Sequence, residues 1–207
     1  MPRPTILFDI GNVIVHFDFA RAAEHFIRYS PLSKADVVRA LDPLKAPLES
    51  GRLAGDEFVR RGMEMIRFTG TPEEFRHGWC DIFSLNAPMA RTIASLDQSV
   101  PMRLLSNTND LHIDFLLEQF PVFTRFGGGV YSHVAGCMKP EETIFRIAIR
   151  QLDLDAAQTF YIDDLLPNIE TARRLGFRTF HYSDARHAEF EAELSAWHGA
   201  SSQHEAR

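Results

Sequence analysis

Only two cysteines occur in 207 residues, Cys80 and Cys137, and they stand far apart with no paired spacing. This excludes a disulfide framework and a cysteine-based zinc site, and it suits a reducing compartment. No apolar run approaches the roughly 20 residues that a membrane-spanning helix needs. Met1-Pro2-Arg3-Pro4 leads into a short apolar segment that ends at Asp9, too short for a secretory signal, so a cytoplasmic location is expected. Positive charge is also scarce: 22 basic residues face 28 acidic ones, giving a net charge of −6, and the basic residues are scattered. Neither nucleic acid nor an anionic membrane is expected as a partner.

Several catalytic signatures are missing as well. There is no Gly-x-x-x-x-Gly-Lys-Ser/Thr loop, no His-Glu-x-x-His and no Gly-x-Ser-x-Gly elbow. Gly127-Gly128-Gly129 lacks dinucleotide-binding spacing and reads as a turn. The nine histidines show no metal-ligand spacing, so His77, His112, His133 and His187 read as packing or surface groups.

What is present is a chain with 45% hydrophobic residues, enough for one full core plus a modest insertion. Three short apolar runs each stop at a polar group: Ile6-Leu7-Phe8 at Asp9, Met102 to Leu105 at Ser106, and Phe160-Tyr161-Ile162 at Asp163. Continuous runs of this length suit strands buried on both faces of a parallel sheet. A further strand is expected at 178–182, with helices over 141–152, 168–175 and 185–197, and the polar tail after His198 is expected to fray. The fold class is therefore α/β, a Rossmann-like parallel sheet with helices on both faces. Ligands of such sheets collect at the carboxyl ends of the strands, where Asp9, Ser106 and Asp163-Asp164 fall.

Residues 18–86 read differently, as successive helices with no strand between them. Ser33 caps a helix through Leu41, and Thr71-Pro72-Glu73-Glu74 combines an N-cap, a first-turn proline and a capping-box glutamate. Phe58, Met65 and Ile66 give the intervening helix an apolar face. The expected division is a core of 1–17 and 87–207 with an inserted helical cap of 18–86.

Phe8-Asp9-Ile10-Gly11-Asn12-Val13, Leu105-Ser106-Asn107-Thr108, Lys139-Pro140-Glu141 and Tyr161-Ile162-Asp163-Asp164 follow one another along the chain. Together they resemble the four motifs of the haloacid dehalogenase superfamily, and Glu49-Ser50-Gly51-Arg52-Leu53 resembles the substrate-facing segment of its small helical cap. Phe-Asp-x-Gly-Asn-Val and Leu-Ser-Asn-Thr-Asn are similar to the alpha-D-glucose-1-phosphate phosphatase branch. The resemblance implies a Mg2+-dependent phosphatase acting on a small-molecule phosphate ester, a sugar phosphate such as glucose 1-phosphate, as a monomer or homodimer.

A carboxylate attacks phosphorus only when other groups offset the repulsion between two anions, and a magnesium ion with a lysine would do so. As the resemblance implies, Asp9 is the nucleophile and forms an aspartyl-phosphate. Magnesium is held by Asp9, the Gly11 carbonyl and Asp164, with Asp163 and Asn168 in support. The Ser106 hydroxyl, the Asn107 amide and Lys139 engage the phosphoryl oxygens.

One departure stands out. Phosphatases of the superfamily commonly carry a second aspartate, two residues after the nucleophile, that protonates the leaving oxygen, and this position is Gly11. A sugar 1-phosphate, with its better leaving group, suits that loss, and a water or His16 is the alternative donor. Two other readings are a metal-free 2-haloacid dehalogenase acting through Asp9 and a catalytically weak binder of phosphate esters.

Overall fold

The computed structural model describes residues 3–96 and 100–205, with side chains as far as residue 199. The chain opens with β1 (Thr5–Phe8) and β2 (Val15–Phe17). Four helices follow, α1 (Phe19–Phe26), α2 (Lys34–Glu49), α3 (Gly55–Met65) and α4 (Pro72–Cys80), then β3 (Phe83–Leu85) and α5 (Ala87–Ser95). The remainder alternates: β4 (Met102–Ser106), α6 (Asp110–Gln119), β5 (Gly129–Tyr131), α7 (Ser132–Ala135), α8 (Glu142–Gln151), β6 (Thr159–Asp163), α9 (Leu166–Arg174), β7 (Arg178–His181) and α10 (His187–Glu205).

Five strands form a parallel sheet in the order β5-β4-β1-β6-β7. β1 is central, with Ile6 opposite both Met102 and Phe160. Successive side chains of a strand point to opposite faces, and both faces are covered. Ile6 and Phe8 pack with Met89, Ile113 and Phe190 from α5, α6 and α10. Leu7 packs on the other side with Phe145 and Ile169 from α8 and α9. This double burial is why the central strands read as unbroken apolar runs. It is the expected α/β architecture.

The helices α1–α4 pack around a separate apolar cluster that includes Phe26, Leu41, Phe58, Phe75 and Trp79. Thr71 and Glu74 form the expected capping box, and the Ser33 side chain accepts from the Asp36 N–H. Two details of these helices differ from expectation. α2 continues to Glu49 through Pro43 and Pro47, because Leu44 and Leu48 extend the buried stripe begun by Val37 and Leu41. Pro43 and Arg39 are exposed, so the Arg39 carbonyl that loses its helical donor is open to water. Met65 is 43% exposed, leaving Phe58 and Ile66 to face the core.

The stretch 18–86 also contains a strand: β3 pairs antiparallel with β2 where the helical block leaves and rejoins the sheet. Three residues are too few to show a periodicity. Gly129, read as part of a turn, opens the edge strand β5, where a Cβ would lie 2.6 Å from the Leu104 side chain and 2.7 Å from its carbonyl oxygen. α10 runs through Glu205 rather than fraying after His198. Among the described residues no helix is long and apolar enough to cross a membrane.

Candidate active site

Asp9 directly follows β1, and its N–H donates to the Ile162 carbonyl of β6, which fixes its place at the strand end. Ser106 ends β4 and Asp163 ends β6, while Lys139 approaches from the loop before α8. The Lys139 ammonium lies 2.8 Å from Asp9 Oδ1 and 2.7 Å from Asp163 Oδ2, and it donates to the Leu105 carbonyl at 2.9 Å. An ammonium has three donors, so this one is saturated. The Lys139 and Asp163 side chains are 1% and 0% exposed.

Burial of this kind disfavours charge unless partners compensate. Burial pushes the Asp9 carboxyl up, with Lys139 pulling the other way. Burial acts on Asp163 in the same sense, but Lys139, Tyr161 and the Leu165 N–H outweigh it and hold this carboxyl below its ordinary value. Lys139 is desolvated too, yet Asp163 and Asp9 hold its ammonium above the usual range. The pair Lys139–Asp163 is thus an ion pair, and Asp9 shares the same cation.

The two neighbouring acids differ in what remains free. Asp163 Oδ1 accepts from the Leu165 N–H and from Asn168, while Oδ2 accepts from Lys139, Tyr161 and Asn168. Its acceptor capacity is full. Asp164 receives the Asn12 amide on Oδ2 at 3.0 Å, and Asn12 sits at φ 52, the left-handed region that asparagine tolerates. Asp9 Oδ1 takes the Ile10 N–H as well as Lys139, so the protein's donors gather on that oxygen rather than on Oδ2.

Carboxylate oxygens of Asp9, Asp163 and Asp164 lie within 4.8 Å of one another. Three carboxylates around one ammonium leave an excess of negative charge, and an all-oxygen donor set is the chemistry that a hard divalent cation such as magnesium prefers. The residues present fit such an ion, with Asp9 and Asp164 offering oxygens and Asp163 already saturated by protein.

The Asn107 side chain is engaged differently from the phosphoryl contact expected for its amide. Its Nδ2 donates to the Lys139 carbonyl at 2.9 Å and its Oδ1 accepts the Lys139 N–H at 2.8 Å. The side chain clamps the lysine backbone. Ser106 Oγ has only a 3.5 Å contact with the Asn107 carbonyl, too long to hold its hydroxyl.

A cavity of about 80 Å3 adjoins this cluster, and Gly11, Phe17, Glu49, Ser106, Thr108 and His112 are among its lining residues. A Cβ on Gly11 would lie 2.9 Å from Phe17 Cε1, so an aromatic ring occupies the space next to that glycine. His112 contacts the Trp79 carbonyl through Nε2 and Asn109 Nδ2 through Nδ1. A carbonyl only accepts, so the proton is on Nε2, and burial pushes this imidazole down to about 4. His16 does not line this cavity; it lines a second one, of about 360 Å3, with Asn12, Asp164 and Arg186, and lies 3.5 Å from Asp184.

A family model described as haloacid dehalogenase-like hydrolase matches residues 4–176. The chain belongs to this hydrolase family. It is 30% identical over 202 residues to a D-ribitol-5-phosphate phosphatase of Bacteroides thetaiotaomicron, spanning 92% of this chain and 96% of that protein. A HAD family enzyme of the same organism, solved as a magnesium complex, superposes with a TM-score of 0.77 at 24% identity, over 88% of this chain and 94% of that one. A HAD-like family hydrolase from Porphyromonas gingivalis aligns with a TM-score of 0.72 at 30% identity, covering 89% and 92%.

Sequence reasoning gave no role to two groups that this hydrolase places at the site, Tyr161 and Asn12. Tyr161 stands two residues before Asp163, so the two-residue period of a strand puts them on one face, and that signal was available. Asn12 reaches Asp164 across 152 positions of sequence, for which no local pattern exists, whereas Glu49 belongs to the segment that resembles the substrate-facing part of the cap and lines the cavity from the end of α2.

Proposed function

We propose that this hydrolase is a magnesium-dependent phosphatase that cleaves a small phosphorylated metabolite through an aspartyl-phosphate on Asp9. The observation that carries the reading is the division of labour on the Asp9 carboxylate. Oδ1 is held by Lys139 and the Ile10 N–H, which aims Oδ2 as the attacking atom. Lys139 offsets the charge that builds between carboxylate and phosphoryl group, and the free Ser106 hydroxyl together with the main-chain N–H of Asn107 binds the phosphoryl oxygens. Asp9, the Gly11 carbonyl and Asp164 would hold magnesium, with Asp163 and Asn168 ordering the surroundings. Bound there, the ion supplies charge neutralisation for phosphoryl transfer.

Residues 18–86 serve as the cap over the core of 1–17 and 87–207, and the cavity lies between residues of both. The enzyme acts in the cytoplasm as a monomer or homodimer. A sugar phosphate such as glucose 1-phosphate is the leading substrate by motif resemblance, and the relative named for D-ribitol 5-phosphate supports a phosphorylated polyol as the second choice. Phosphate release from a panel of hexose 1-phosphates, hexose 6-phosphates and pentitol 5-phosphates, with and without magnesium, decides between them. Release that ignores magnesium, or that survives Asp9→Asn, would overturn the reading.

A further inference from the structure

Cleaving a phosphate monoester expels an alkoxide, and an ordinary alkoxide leaves readily only if it receives a proton in the transition state. The groups of the buried cluster are committed elsewhere: Asp9 must attack as a carboxylate, and Asp164 offers its oxygens to the metal. All three protons of Lys139 are taken by Asp9, Asp163 and the Leu105 carbonyl, and Asp163 is held ionised. On the cavity wall, Gly11 has no side chain and the Phe17 ring fills the space beside it. Both ring nitrogens of His112 are engaged, and the hydroxyls of Ser106 and Thr108 are too weakly acidic to serve. One carboxyl remains among the residues lining this cavity, that of Glu49.

We propose that Glu49 is the general acid of this hydrolase, delivering a proton to the leaving oxygen from the cavity it shares with Gly11 and Ser106. The inference rests on the phosphatase reading above.

Two features of the fold suit Glu49 to the task. The first is its fixed position. The Glu49 carbonyl accepts the Ser132 hydroxyl at 2.5 Å, which ties the end of α2 to α7. Gly51, at φ +71, passes so close to His133 that a Cβ there would lie 2.0 Å from the His133 carbonyl oxygen. The segment 49–51 is therefore seated against the sheet end rather than swinging over it. The second is its proton. Glu49 is the last residue of α2, at the negative pole of that helix, which disfavours a second negative charge. Burial works in the same direction and pushes its carboxyl up.

Lys45, one turn earlier on α2, opposes this shift, but its ammonium is 3.2 Å from Asp42 and stacks over the Phe19 ring. Across the cavity the titratable neighbour is His112 on α6, which stays neutral at ordinary pH.

The steps balance. Asp9 Oδ2 forms a bond to phosphorus while the bond from phosphorus to the leaving oxygen breaks, its electron pair staying on that oxygen, and the Glu49 proton joins it to release the alcohol. The Glu49 carboxylate then takes a proton from water as the water oxygen attacks phosphorus and the Asp9–phosphorus bond breaks. Inorganic phosphate leaves, and both carboxyl groups return to their starting states.

The test compares kcat/KM for an alkyl phosphate with that for 2,4-dinitrophenyl phosphate, whose phenolate leaves without a proton, in wild type, Glu49→Gln and Glu49→Ala. Thermal unfolding confirms that each variant is folded. A general acid predicts a loss of about 100-fold or more on the alkyl ester, a far smaller loss on the dinitrophenyl ester, and disappearance of the alkaline limb of the alkyl-ester pH profile. Equal losses on both esters, or no loss on the alkyl ester, would overturn the assignment. Wild-type turnover of the dinitrophenyl ester, abolished in Asp9→Asn, reports the phosphatase reading separately. If the wild type cleaves neither ester, that reading falls and Glu49 with it.

Discussion

Asn107 and Lys139 hold each other through both peptide groups of the lysine: the asparagine amide donates to the Lys139 carbonyl and accepts its N–H, at 2.9 and 2.8 Å. The lysine backbone is thereby locked while its ammonium bridges Asp9 and Asp163. A long flexible side chain is aimed from a rigid base, which is the condition for placing a charge where a transition state needs it.

Asn107→Ala releases that base. The expected result is a fall in kcat of about 100-fold, the cost of a displacement on the order of 1 Å at a reacting centre. Asn107→Asp keeps the acceptor for the Lys139 N–H and loses the donor, so it should fall between the two. Steady-state kinetics of both variants on one ester checks this ordering.

Lys139→Met leaves Asp9 and Asp163 buried without their cation. Breaking a buried pair by removing one partner costs about 3–5 kcal/mol at neutral pH. The deficit should narrow as pH falls, because protonation removes the uncompensated charge from the interior. Denaturant titrations of wild type and variant at pH 7 and pH 5 measure it.

His112 predicts an acid-sensitive fold. Its imidazole is pushed by burial from 6.5 down to about 4, so between those values the unfolded chain binds a proton that the folded chain refuses. Stability is full above pH 6.5 and declines as pH falls toward 4, by about 3 kcal/mol in total. Because the raised Asp9 carboxyl acts in the opposite sense over this range, the measurement is the difference: from pH 7 to pH 4 the wild type should lose about this much more stability than His112→Gln.

The Gly11–Phe17 contact predicts a rescue. An aspartate at position 11 would meet the Phe17 ring at 2.9 Å, but Phe17 is 40% exposed and can yield. In a Glu49→Gln background, Gly11→Asp with Phe17→Ala should recover activity on alkyl phosphates on the order of 10-fold, more than Gly11→Asp alone. Equal recovery with and without the Phe17 change would show that the ring does not guard this space.

The central strands were legible because they are buried on both faces, and the polar residues that end them fall at the sheet's carboxyl edge. Asp9, Ser106 and Asp163-Asp164 could be read from that pattern, and Lys139 only through the resemblance of Lys139-Pro140-Glu141 to the third motif of the family. The three-residue strands β2, β3 and β5 were not legible, since so short a stretch carries no period. The reach of α2 past Pro43 was legible in principle, because Leu44 and Leu48 continue the spacing of Val37 and Leu41. Asn12 on Asp164 and the Asn107 clamp are products of tertiary packing between distant segments, while Glu49 in the cavity was marked only by the resemblance of residues 49–53 to a cap's substrate-facing segment.

The central claim is that Asp9 carries the phosphoryl group. Acid quenching of a pre-steady-state reaction with a phosphate ester, followed by mass spectrometry of the peptides, tests it directly. The account predicts a phosphoryl group on the peptide holding Asp9, formed in the first turnover, dependent on magnesium and absent from Asp9→Asn. Steady phosphate release with no modified peptide, or with the modification on another residue, would contradict it.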